Sequence, residues 1–185
     1  TVESTVDVGS IFTVTVDLTT CQLARKVDVA QARAVTRVLP PFVLRVGVFV
    51  DATPGEMAQV ADAVGRDLLQ LHANEPPESL EGLPRRAHKA VRVGPGFTSA
   101  EAGRYADRAA GIVVDTRLVG ETVMPGGTGV PFDWSLVRGL RDEVSFLMLA
   151  GGLSPDNVSA AIGEVRPASE GLVLDVNGEA QAWPR

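Results

Sequence analysis

The chain of 185 residues holds a single cysteine, Cys21, and only two histidines, His72 and His88. One cysteine excludes an intrachain disulfide framework and a multi-cysteine zinc site, and two histidines argue against a histidine-rich metal centre. Positive charge is in deficit too: 17 Lys and Arg stand against 23 Asp and Glu, for a net charge of -6. Such a chain lacks the field that phosphate backbones or anionic lipid surfaces require, so neither nucleic acid nor membrane is an expected partner. No apolar run reaches the roughly 20 residues needed to span a bilayer. The start, Thr1-Val-Glu-Ser-Thr-Val-Asp-Val8, is acidic where a secretion signal is basic, and no apolar core follows it. A cytoplasmic protein is the expectation.

What is present is enough apolar material for a core: 45% of residues are hydrophobic and 22% charged. That fits one folded domain over residues 1–185. Short β-branched runs alternate with helix-like stretches. Strands are expected at Ile11–Val16, Leu44–Val50, Asp67–Leu71, Lys89–Val93, Gly111–Asp115, Phe146–Ala150 and Gly171–Asp175. Between them, helices are expected at Val29–Leu39, Thr53–Val64, Pro76–Leu83, Ser99–Ala110, Trp134–Leu140 and Ser154–Val165. Thr53-Pro54-Gly55-Glu56 carries an N-cap, a first-turn proline and an acidic residue at the third helical position. Ser154, followed by Pro155, is read as the cap of the last helix.

Strand–helix alternation with short connections means a parallel α/β domain. No G-x-G-x-x-G follows the first strand, so the dinucleotide-binding form has no support. Polar and glycine residues instead gather just after the strands: Asp17, His72, Asp115, Gly151-Gly152 and Asp175 to Gly178. Barrel active sites are built from such strand ends, so a (β/α)8 barrel is the better reading.

Within Leu149-Ala-Gly-Gly-Leu-Ser-Pro-Asp-Asn-Val158, two glycines after a strand let backbone approach a ligand, and a helix start offers unpaired N–H groups. The plainer alternative is a tight turn with an ordinary cap. The permissive Asp175-Val-Asn-Gly178 ends the next strand, and the pair matches the phosphate site that many barrels carry after strands seven and eight. Asp115 ends an apolar strand, where partial desolvation suits a carboxyl to general acid work; otherwise it caps the following loop. Gly126-Gly-Thr-Gly129 is either a loop that closes over a ligand or a flexible connection. His72 either lines the site or is satisfied by local hydrogen bonds. Cys21 lies in the loop after the first strand, as a buried hydrophobe or as a nucleophile.

Taken together, Leu39 to Val50, Gln70-Leu-His72, Asp115-Thr-Arg117, Gly126 to Gly129 with Phe132-Asp-Trp134, and Leu149 to Val158 resemble the phosphoribosylanthranilate isomerase family. The similarity runs from about Val27 to Gly178, in the family's order. It implies a TIM barrel, no cofactor or metal, a monomer or homodimer, and a phosphorylated or carboxylated small-molecule substrate of the tryptophan pathway. The family performs an Amadori rearrangement of an N-linked ribose phosphate. By resemblance Asp115 is the acid, His72 and Gly127 line the substrate pocket, and Gly151, Gly152, Asn177 and Gly178 hold the phosphate. Arg25 aligns with the arginine that meets the anthranilate carboxylate, which a guanidinium fork suits.

Three departures stand out. The family's base is a cysteine in a K-I-C-G segment on its first strand, and no such segment occurs here, which leaves Asp17 or Cys21 as replacements. Val130 stands where the family usually has lysine. Asp175-Val-Asn-Gly-Glu179 is a residue shorter than the family's D-V-S-S-G-V-E, and little chain remains for a final helix. The barrel is therefore expected to be modified at its first strand and last helix. Val2, Val6 and Val8 share one face of an extended segment, and Gly9-Ser10 leads into Ile11, a hairpin signal over residues 1–16. The alternative makes that segment a helix remnant. In function, the alternatives are a repurposed relative with another reaction, or a non-catalytic binding protein.

Overall fold

The computed structural model describes residues 13–17, 27–40, 43–117 and 131–166. Six strands, β1 (Thr13–Asp17), β2 (Leu44–Phe49), β3 (Leu68–Leu71), β4 (Ala87–Val93), β5 (Gly111–Thr116) and β6 (Leu147–Leu149), lie side by side in sequence order. Every neighbouring pair is parallel. Sequential parallel neighbours joined by crossovers are the wall of a (β/α)8-type fold, as expected. The strand proposed at Gly171–Asp175 and the hairpin partner before β1 lie outside the described residues.

Alternate residues of the strands face opposite layers. On one face Leu69, Leu71, Val91, Val93, Ile112, Val114, Leu147 and Leu149 join Met57, Ala61, Tyr105 and Ala161 in the principal core. The opposite face carries a smaller cluster of Ala90, Val113, Met148 and Ala150. This second face is the one that a barrel encloses.

Helices α1 (Val29–Arg37) and α2 (Pro54–Val64) both begin with a capping box. In α2 the Thr53 hydroxyl accepts from the Glu56 N–H at 3.3 Å and the Glu56 carboxylate accepts from the Thr53 N–H at 2.8 Å, as the sequence predicts. Gly65 ends α2 at φ +71°, a conformation glycine adopts without strain.

Four helices are shorter than expected, the first of them a single 3-10 turn, Pro77–Leu80, in place of Pro76–Leu83. The one at Ser99–Ala110 is helical only over α3 (Ser99–Gly103) and then continues as tight turns, with Tyr105 N–H bonded to Ala102 and Arg108 N–H to Tyr105. Gly103 is a poor helix former at the point where the ladder tightens. Trp134–Leu140 is two 3-10 turns, Trp134–Val137 and Leu140–Asp142, separated by Gly139 at φ +87°. The last helix, α4 (Val158–Val165), has Asn157 rather than Ser154 at its N-cap position. Pro155 and Asp156 form a turn before it, in which the Asn157 N–H donates to the Ser154 carbonyl.

Candidate active site

The parallel register brings the ends of β3, β4, β5 and β6 to one rim. The His72 N–H donates to the Phe49 carbonyl at 2.8 Å, which ties the residue after β3 to the end of β2. Its ring Nδ1 lies 3.1 Å from Gln70 Nε2. His72 Nε2 in turn lies 3.4 Å from Asp115 Oδ2, with the two side chains 18% and 13% exposed. The other Asp115 oxygen accepts from the Thr116 N–H at 2.7 Å. The carboxyl thus lies between a backbone donor and the edge of the His72 ring.

The turn after β6 closes on the same carboxyl. Gly151 sits at φ +85°, and a Cβ there would fall 2.7 Å from Asp115 Oδ1 and 2.4 Å from Thr116 Oγ1. Only glycine fits. Gly152 is also left-handed, at φ +64°. Its carbonyl accepts from Asn157 Nδ2 at 2.8 Å, while Asn157 Oδ1 accepts from the Ser154 N–H at 2.8 Å. Asn157 therefore braces the glycine turn, a role the sequence reading missed by placing the cap on Ser154. The signal was Pro155-Asp156-Asn157, since asparagine closes turns through its side chain.

Behind this rim, on the helix side of the sheet, Lys89 and Glu75 form a buried ion pair at 3.2 Å, with side chains 2% and 8% exposed. Burial pushes the Lys89 ammonium below the usual lysine range, and the Glu75 charge opposes that shift. Neither residue was singled out from the sequence. Beside them a cavity of about 320 Å³ gathers Lys89, Arg92, Arg104 and Arg117 around Glu101. It is a local excess of positive charge in an acidic chain.

Of the residues proposed from the sequence, His72, Asp115, Gly151 and Gly152 are brought to this rim. Asp17 is the last residue of β1 and is in register with Val48. Cys21, Arg25, Gly127, Asn177 and Gly178 lie outside the described residues. Among the described residues no three His, Cys, Asp or Glu side chains form a group that could hold a metal ion. No described helix is long and apolar enough to cross a membrane.

The family model for N-(5'-phosphoribosyl)anthranilate isomerase matches residues 2–179. The chain belongs to this family. The N-(5'-phosphoribosyl)anthranilate isomerase of Pseudomonas fluorescens is 48% identical over 155 residues, covering 83% of this chain and 69% of the relative. That of Pseudomonas aeruginosa is 46% identical over 158 residues, covering 85% and 71%. Among solved structures, phosphoribosyl anthranilate isomerase from Thermotoga maritima superposes with a TM-score of 0.77 at 34% identity, over 93% of this chain and 80% of that one. A phosphoribosyl anthranilate isomerase in complex with reduced 1-(o-carboxyphenylamino)-1-deoxyribulose 5-phosphate gives a TM-score of 0.73 at 33% identity, over 93% and 78%. The isomerase family and its barrel type are therefore those expected from the sequence motifs.

Proposed function

We propose that this chain catalyses the family's Amadori rearrangement, converting N-(5'-phosphoribosyl)anthranilate into its open-chain aminoketose. Asp115 protonates the ribose ring oxygen, the C1–O bond breaks, and the anilino nitrogen supplies the electron pair that forms an iminium. A base then takes the C2 proton, and the resulting enol returns a proton to carbon to give the ketone. Protons and one internal hydrogen shift account for the whole change, so the sequence consumes no oxidant or reductant. The base is Asp17 at the end of β1 or Cys21 just beyond it. Gly151 and Gly152, with Asn177 and Gly178, hold the phosphate, and Arg25 holds the carboxylate. Gly127 and His72 contribute to substrate binding, as the family resemblance implies.

The observation that carries this reading is the meeting of Asp115 with the Gly151 turn: a carboxyl bonded to the Thr116 N–H lies against a left-handed glycine pair, where backbone can approach a ligand closely. The test feeds N-(5'-phosphoribosyl)anthranilate to the protein and, separately, titrates the reduced 1-(o-carboxyphenylamino)-1-deoxyribulose 5-phosphate. Binding and turnover together are expected, and whichever of Asp17→Asn and Cys21→Ser lowers the rate about 10²–10⁴-fold marks the base. Binding without turnover would make this a non-catalytic binding protein, and neither would make it a relative with another substrate.

A further inference from the structure

Lys89 is 2% exposed, and its ammonium has acceptors on every side. It lies 2.7 Å from the Ala73 carbonyl, 2.6 Å from that of Ala90 and 3.4 Å from that of Leu71, besides Glu75 Oε2 at 3.2 Å. Two of these carbonyls, Leu71 and Ala73, flank His72. The Glu75 carboxylate accepts from the Ala73 N–H at 2.9 and 3.1 Å, and from the Asp51 N–H at 3.4 Å. Asp51 follows β2 in a left-handed conformation, φ +53°, unusual for a residue with a side chain. The Tyr105 hydroxyl completes the knot by donating to the Glu75 carbonyl at 2.8 Å.

We infer that the buried Lys89–Glu75 pair is a positioning device, which holds the backbone on both sides of His72 so that its imidazole meets Asp115. The inference rests on the isomerase reading only for what the His72–Asp115 contact is used for. A buried ion pair is weak as a source of stability, because apolar residues of like volume often do as well. Here its donors and acceptors end on backbone groups of the very segment that carries His72. Both side chains belong to the helix side of the sheet, where Lys89 packs 5.5 Å from the centre of the Tyr105 ring. They act through His72 and not on the substrate. A displacement of about 1 Å in such a site can cost about a hundredfold in rate.

The test uses the full chain with the double substitution Lys89→Met and Glu75→Gln, which removes the pair without leaving a lone buried charge. Tyr105→Phe serves as a milder cut in the same network. Two readouts are taken: kcat and KM per folded molecule, and the imidazole C–H resonances of the two histidines, assigned with a His88→Phe control. The expected result is a fall in kcat of about ten- to a hundredfold with KM little changed. The His72 resonance should move while that of His88 stays. Tyr105→Phe should move both readouts in the same direction by less, and it decides the matter if the double variant does not fold. An unmoved His72 resonance with unchanged kcat in a folded variant overturns the inference. If the wild-type chain shows no turnover, the isomerase reading falls, yet a displaced His72 resonance still upholds the positioning.

Discussion

The two ends of the sheet treat buried charge in opposite ways. At the rim where the strands end, Lys89 has four acceptors, Asp115 accepts from the Thr116 N–H, and the His72 ring lies between Gln70 and Asp115. At the rim where the strands begin, Arg66 is 2% exposed, and its three guanidinium nitrogens find no hydrogen-bond partner among the described residues. His88, near the start of β4, is 7% exposed, stacks on Phe146 at 6.0 Å, and its Nδ1 finds no hydrogen-bond partner among the described residues. The exception at that end is the fork between Arg45 and Asp67, at 2.9 and 2.7 Å, which is a third exposed. Full satisfaction of polar groups fixes side-chain geometry, and unsatisfied burial costs stability without fixing anything. In barrels chemistry is done at the end where the strands finish, and substitutions at the opposite end act on stability.

Substitutions at the two ends should therefore separate activity from stability. The largest effect is expected at Gly151→Ala. The new methyl would overlap Thr116 and Asp115, and the left-handed backbone adds a cost of about 1–2 kcal/mol. Activity should fall about a hundredfold or more through displacement of the carboxyl, measured as kcat beside the urea midpoint.

Next comes His88, whose burial pulls its imidazole from the ordinary 6.5 down to about 4. Between those values the unfolded chain takes up a proton that the folded chain refuses. Stability is thus full above pH 6.5, declines as pH falls through the window, and levels off below about pH 4. The loss amounts to about 3 kcal/mol, and His88→Phe should abolish that share of the pH dependence in urea unfolding.

Arg66→Met should act with the opposite sign. It removes, at similar volume, a guanidinium with no hydrogen-bond partner among the described residues, and should raise stability by about 1–3 kcal/mol, with kcat unchanged. Asp67→Asn should do least. The hydrogen bond from Arg45 holds the Asp67 carboxyl below its ordinary range, so its contribution is present above pH 3.8 and fades as pH falls through the lower folded value. At this exposure the loss should stay under about 1 kcal/mol, again without effect on kcat.

The elements and the catalytic side of this contrast were legible in the sequence to different depths. β-branched runs, Thr53-Pro54-Gly55-Glu56 and the double glycine after β6 are local signals, and local physics forms them. Asp115 and the glycines stood out because strand ends are where barrels do chemistry. The contact between His72 and Asp115 depends on the register of β3, β4 and β5, which no local pattern encodes. Lys89 was hidden for the same reason. A lysine within a strand reads as a solvated residue until carbonyls from the end of the preceding strand and its loop, and a carboxylate fourteen positions earlier in the chain, surround it. The short helices failed differently: Gly103 and Gly139 interrupt patterns whose apolar spacing alone looks continuous. The asparagine at position 157 competes with the serine for the cap, and only the turn made by Pro155 and Asp156 decides between them.

The most direct measurement is a paired one on Asp115→Asn: turnover of N-(5'-phosphoribosyl)anthranilate, and thermal midpoint, in the same preparation. The amide keeps the shape of the carboxyl and can still accept from the Thr116 N–H, but it has no acidic proton to give. A fall in kcat of about 10²–10⁴ with the midpoint nearly unchanged is the expected result. A variant that turns over at the wild-type rate would contradict the assignment of this rim as the catalytic one.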